Sequence, residues 1–176
     1  MSLTYRWLGV AGLEFTYHGY TLLIDPFFTR PGKIALLLNR RVQADTQLIA
    51  RHIARADAVL VTHPHYDHLL DVPEVLRRTG APAFGTPNTC ALLALHGIPA
   101  EQIRTIQVGD SLELGPYLVE VIQTRHSSIP LAHLFNGPLP ARLRDGQARL
   151  PLRLNDYRMD SSYGFRIHVD ERILQV

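Results

Sequence analysis

The sequence predicts a single α/β domain, and three observations carry that reading. β-Branched and aromatic runs open and close the chain, and between them helix-spaced apolar segments alternate with short strand-like runs. The composition, 46% apolar and 19% charged over 176 residues, is that of a globular chain with room for one sizeable core. Eighteen Lys and Arg against sixteen Asp and Glu leave +2, too slight an imbalance to imply a nucleic-acid or membrane surface, so neither is expected as a partner. Cys90 is the single cysteine, which removes any internal disulfide and makes a cytoplasmic setting the expectation. No run approaches the roughly 18 apolar residues of a membrane span, and Met1–Arg6 does not lead from a basic segment into an apolar one.

In chain order, Tyr5–Leu8, Leu13–Tyr17 and Tyr20–Asp25 read as strands, the last two joined by a His18-Gly19 turn. Residues 26–43 carry Pro26, Pro31 and Gly32 beside an apolar patch at Ile34–Leu38, so an irregular excursion with one helical turn is expected. Asp45 can cap a helix whose positions Leu48, Ile49, His52, Ile53 and Ala56 recur at helical spacing. Ala58–Val61 lacks polar alternation, which suits a strand buried on both faces. Asp71 followed by Glu74 matches a capping box for a helix ended by Gly80. After a brief strand at Pro82–Gly85, Thr86-Pro87 opens a second helix that Gly97 closes. Ile103–Val108, Ser111–Leu114 and Tyr117–Thr124 return to strand, residues 127–160 read as one long loop, and Ser162–Val169 with Arg172–Val176 form a closing hairpin.

The chemistry concentrates in His63-Pro64-His65-Tyr66-Asp67-His68, three imidazoles and a carboxylate between a buried strand and a helix. Neutral imidazoles are strong donors for borderline cations such as zinc, and ligands at alternate positions of an extended loop can face one ion, which suits His63 and His65. Asp67 and His68 fall on the next turn, where they can diverge toward a second ion about 3.5–4 Å from the first. Four fixed positions of this kind arise by chance in roughly one chain in a thousand. The competing reading, a solvated His-rich loop at a sheet edge, leaves clustered histidines hard to satisfy once buried.

A strand followed by Thr62-His63-x-His65-x-Asp67-His68 resembles the hallmark of the metallo-β-lactamase superfamily of metal-dependent hydrolases. Trp7–Gly12 and Leu22–Pro26 are similar to the leading strands of the branch that includes the ascorbate-phosphate lactonases, and Val108-Gly109-Asp110 and Thr124–Ser127 fall where the family has a turn and its next histidine ligand. The resemblance implies a four-layer αββα sandwich over residues 1–176, with His63, His65 and His126 holding a first metal and Asp67 and His68 contributing to a second. It sets Asp25 beside the histidine loop as a carboxylate that accepts an imidazole N–H; an ordinary strand-end turn residue is the other reading of Asp25. The family also supplies a bridging aspartate and one further histidine from a second half of the sandwich, and no residue after Ile173–Val176 fills either role. A fold truncated in its second half, with a deficient second metal site, is therefore expected. Its exposed sheet edge would favour homo-oligomers.

The implied activity is a hydrolase that uses a metal-bound hydroxide on a small-molecule ester, lactone or phosphodiester, with Asp67 orienting the water and one or two Zn2+ ions as cofactor, Mn2+ or Fe2+ being alternatives. The alternative is a metal-binding domain without hydrolytic activity. Among the remaining candidates, His133 reads as a residue of the long loop, with contact to substrate or metal as the alternative, while His18, His52 and His168 read as turn, helix and strand residues. His96 precedes Gly97 at a helix C-terminus, where a positive imidazole would favour the helix dipole. Arg142, Arg144, Arg149, Arg153 and Arg158 against Asp145, Asp156 and Asp160 make a loop that would recruit an anionic substrate or simply face solvent. Cys90 reads as a small buried hydrophobe, and Ser127-Ser128 lack the base and orienter of a nucleophilic triad.

Overall fold

Two left-handed residues, His18 (φ 49°) and Gly19 (φ 78°), turn the chain back on itself and pair Tyr17 with Tyr20. Positive φ at both turn positions matches the right-handed twist of the flanking strands, so this turn fixes the register of the opening hairpin. The structure, a computed structural model, describes residues 2–126 and 134–176. Strands β1 (Thr4–Gly9), β2 (Gly12–Tyr17) and β3 (Tyr20–Ile24) form an antiparallel meander. To β3 are added, all parallel, β4 (Ala58–Leu60), β5 (Ala83–Gly85) and β6 (Ile103–Thr105), giving a six-stranded sheet in the order β1-β2-β3-β4-β5-β6.

The parallel steps need crossovers, and helices supply them. They are α1 (Lys33–Leu37), α2 (Thr46–His52), α3 (Tyr66–Leu69), α4 (Val72–Thr79) and α5 (Pro87–Leu95), with α6 (Ala141–Arg144) arriving later in the chain. A second, four-stranded antiparallel sheet contains β7 (Ser111–Leu114), β8 (Tyr117–Gln123), β9 (Tyr163–Val169) and β10 (Arg172–Gln175) in the order β10-β9-β8-β7.

β3 and β4 lie between two cores, which explains the apolar runs Leu22–Ile24 and Ala58–Val61. On one face Leu23, Val59 and Val61 join Ile49, Leu69, Val75, Leu76, Leu92 and Leu93 beneath the helices. On the other, Leu22, Ile24, Ala58 and Leu60 meet Tyr117, Val119, Val121, Phe165 and Ile167 of the second sheet. Among the described residues the layers therefore run helices, sheet, sheet, three of the four expected of the sandwich. Leu118, Glu120, Arg166 and His168 lie on the outer face of the second sheet, where Glu120 pairs with Arg166 at 3.1 Å and lies 3.4 Å from His168 Nε2.

Three local expectations change. Asp71 does not form a capping box: its carboxylate accepts instead from Phe28 N (2.6 Å) and Thr29 N (2.8 Å), so a long-range tie replaces the local one. The stretch 134–160 is not structureless. It contains α6 and a 3-10 turn at Leu154–Asp156, and it buries Leu139, Leu143, Leu152, Leu154 and Tyr157 against the helical core. Asp156 is paired there with Arg142, and Asp160 accepts from Thr86 Oγ1 (2.6 Å) and Asn88 N (2.9 Å), so these acids brace the fold. Third, His96 is not a cation completing the α5 dipole. Burial, reinforced by the charge of Arg77, lowers its pKa to about 4, and its Nε2 lies 3.3 Å from the Tyr157 hydroxyl.

A histidine held neutral in the fold but titrating near 6.5 when unfolded binds more protons in the unfolded state across that interval. Its contribution is complete above about pH 6.5 and is lost as pH falls toward 4. Urea midpoints should therefore drop over that window, and His96→Gln should flatten the slope relative to the parent chain. Equal slopes would remove His96 as the cause.

Candidate metal centre

Parallel neighbours end together, and this places the site. β3 and β4 pair Ile24 with Leu60, and Asp25 N donates to Leu60 O (3.0 Å), so Asp25 emerges beside Thr62 at the carboxyl edge of the sheet. Asp25 takes a left-handed conformation (φ 44°) that turns its carboxylate inward, where it is fully buried. Its Oδ1 accepts from Thr62 N (2.8 Å), and its Oδ2 accepts from Thr62 Oγ1 (2.6 Å) and His68 Nδ1 (2.8 Å). Both readings of Asp25 therefore hold: it ends a strand and it orients an imidazole.

Thr62 is the residue that sequence reasoning passed over. Its hydroxyl proton goes to Asp25, so its oxygen is left to accept from His63 Nδ1 at 2.9 Å. That assignment leaves His63 Nε2 with a bare lone pair, and Nε2 is buried without a hydrogen-bond partner. His65 is fixed from the other side, with Nε2 3.2 Å from both Phe135 O and Asn136 Oδ1. An Nε2–H donated to those oxygens frees Nδ1 of His65 as an electron-pair donor. The position of Thr62 beside the first histidine was the one available sequence signal, while nothing local marks Phe135 or Asn136.

His126 arrives from the second sheet, three residues beyond the end of β8. Tyr163 N of β9 donates to Thr62 O (2.9 Å), joining that sheet to the histidine loop. The ring of His126 lies 4.8 Å from that of His63 and 4.8 Å from that of His65, and the latter two are 4.7 Å apart. One ligand atom from each of the three can be chosen so that all lie within 4.8 Å of one another. His63 and His65 are buried and His126 is half-buried.

The electrostatics follow from the crowding. Burial, then the neighbouring His68, His65 and His126, push the His63 pKa far below the ordinary imidazole value. Burial and His126 lower that of His65, against the opposing pull of Asn136, Asp67 and Phe135 O. His68 goes the other way: burial alone would lower it, but the charge and hydrogen bond of Asp25, with Asp67 behind them, raise it. Asp67 stands outside the three-histidine group, a third exposed, with Oδ2 3.8 Å from His68 Nε2. The five expected site residues thus separate into a triad, His63, His65 and His126, and a flanking pair, Asp67 and His68. His133 and Ser127-Ser128 lie outside the described residues.

Three converging imidazoles, with burial lowering the pKa of His63 and His65 and with the buried Nε2 of His63 orphaned, fit a divalent cation: ring nitrogens are borderline donors, and an unpartnered buried nitrogen otherwise costs about 1–3 kcal/mol.

Comparison with known proteins agrees with this architecture. Residues 20–167 match the model of the beta-lactamase superfamily domain. A UPF0173 metal-dependent hydrolase of Pyrobaculum islandicum is 30% identical over 137 residues, covering 76% of this chain and 56% of that protein. One from Methylocella silvestris is 30% identical over 122 residues, covering 69% and 47%. The chain thus spans about half the length of the curated relatives it matches. Among solved structures, the metallo hydrolase Igni18 of Ignicoccus hospitalis superimposes with a TM-score of 0.60 at 20% identity, over 98% of this chain and 58% of that one. The metallo-β-lactamase SMB-1 gives 0.53 at 15% identity, over 98% and 59%. With the fold shared and the family model matched over most of its length, the chain belongs to the beta-lactamase superfamily.

Proposed function

We propose that this chain carries the metal centre of a metal-dependent hydrolase, with His63, His65 and His126 holding one divalent cation, zinc by preference, and a small-molecule ester, lactone or phosphodiester as substrate. The observation that supports it is the convergence of three imidazoles from both sheets around the buried, unpartnered Nε2 of His63. A divalent cation bound there supplies Lewis acidity and lowers the pKa of a coordinated water to about 7.

The chain's own groups do the rest. Asp25 and Thr62 hold His63 in the tautomer that presents Nε2, and Phe135 O does the same for His65 Nδ1. Such supporting bonds typically change metal affinity by about 10–100-fold. Asp67, a third exposed beside the triad, would orient the attacking water and accept its proton. His68, tied through Nδ1 to Asp25, keeps Nε2 on the side of Asp67, 3.8 Å from its carboxylate. The similarity of Trp7–Gly12 and Leu22–Pro26 to the ascorbate-phosphate lactonase branch keeps lactones among the substrates to test.

A second reading, an ion-binding domain without hydrolysis, is favoured by the thin complement beside the triad: Asp67 and His68 are the flanking pair available to a second ion. The two readings separate experimentally. Chelator-stripped protein titrated with Zn2+ by calorimetry should take up the ion, and His63→Ala or His126→Ala should weaken uptake by more than about a hundredfold. Thr62→Val should lower affinity by about 10–100-fold while leaving the circular dichroism spectrum intact. Against a panel of p-nitrophenyl acetate, a γ-lactone and bis-p-nitrophenyl phosphate, Asp67→Asn should cut turnover by about 10²–10⁴-fold with metal content preserved. Full metal loading with no turnover on the panel would select the non-hydrolytic reading, and failure to bind the ion would remove both.

A further inference from the structure

Helix α1 departs from the rest of the fold: none of its residues is buried. Ile34 is 66% exposed, Leu36 41%, Leu37 84% and Leu38 55%, four large apolar side chains in five positions. Only Ala35 packs against the helical core. Isolated exposed leucines are ordinary, but a contiguous set of this size marks a contact surface.

The segment is held in place from below. Arg41 donates to Arg149 O and to Pro151 O (2.7 Å), Val42 N donates to Leu152 O (2.9 Å), and Asn39 Oδ1 accepts from Asn155 N (3.0 Å). These bonds set Leu150, itself 43% exposed, beside the C-terminal end of the patch. The leucines are therefore displayed by a braced backbone.

The charge around them says what they meet. Lys33 and Arg40 bracket the apolar run, both exposed; Arg30 and Arg41 continue the same sign outside them, with their guanidiniums on the Phe27 and Thr29 carbonyls and on the Arg149 and Pro151 carbonyls, and no acidic residue occurs between Asp25 and Asp45. Arg149 and Arg153 extend the same sign along the adjoining strip. Over the whole chain the charge averages to +2, while this one segment alone carries +4. A second copy of the same patch would bring like charges together, which opposes self-association through it. An exposed apolar run bracketed by cations matches a surface that offers both hydrocarbon and negative charge.

We propose that residues 33–40 dock this protein peripherally on an anionic lipid surface, with Ile34, Leu36, Leu37 and Leu38 entering the headgroup boundary and Lys33 and Arg40 meeting the lipid phosphates. Among the described residues no helix is long and apolar enough to cross a membrane, so the contact is a surface one. It does not rest on the hydrolase reading.

The test is vesicle co-sedimentation of the full chain. Phosphatidylcholine vesicles containing about a third phosphatidylglycerol should retain it at least about tenfold more strongly than pure phosphatidylcholine, with the difference shrinking in high salt. Leu37→Asp should reduce retention about tenfold or more. The Lys33→Glu/Arg40→Glu pair should lose at least about fivefold per cation removed. Both variants alter exposed side chains and should keep the parent melting temperature. Absence of binding to the anionic vesicles, or undiminished binding by both variants, overturns the proposal. So does concentration-dependent self-association that Leu37→Asp abolishes, which would assign the patch to a second copy.

Discussion

The site depends on one buried carboxylate. Asp25, fully enclosed and left-handed at the end of β3, accepts three hydrogen bonds from a single neighbourhood, Thr62 N, Thr62 Oγ1 and His68 Nδ1. A buried charge of this kind is tolerable only when its acceptor capacity is filled, and filling it forces the conformation of everything it touches. Thr62 is oriented by it, His63 by Thr62, and His68 by it directly. The proton positions of two histidines are thus determined by the hydrogen-bond demand of a residue that itself holds no ion.

That carboxylate is where it is because β3 and β4 are parallel and end in register. Each is apolar on both faces, so each can be gripped by the helical core on one side and the second sheet on the other. Burial by both cores leaves the two strand ends little freedom, and polar residues placed just beyond them inherit that rigidity. In open α/β sheets the carboxyl edge is the usual place for such residues. Asp71 works by the same logic one layer away, fastening the Phe28–Thr29 backbone to the start of α4.

Much of this was legible in the sequence because it is local. His63, His65, Asp67 and His68 announce themselves by spacing, the His18-Gly19 hairpin by turn chemistry, and the α2 and α5 caps by Asp45 and Thr86, whose side chains accept from Leu48 N and Thr89 N as expected. His126 was legible only through position in a resembling pattern, since one histidine after a strand has no spacing to read. What escaped is long-range. Thr62 gains its role from a residue 37 positions earlier, and His65 is fixed by carbonyls about 70 positions later. Asp71 shows the opposite failure, a local capping pattern overridden by donors more than 40 residues away. His96 was read from helix polarity alone, and desolvation reversed the outcome. The leucines of 139–154 lack a period because they cover an uneven surface and form no single helix or strand face.

The triad draws two histidines from the loop after β4 and one from the end of β8. An ion held by all three would be a rivet between the sheets, bridging halves of the sandwich that otherwise meet mainly through side-chain packing and the Tyr163–Thr62 backbone bond. Occupancy and sheet cohesion then become one equilibrium: whatever draws the halves apart expels the ion, and whatever loads the ion resists their separation.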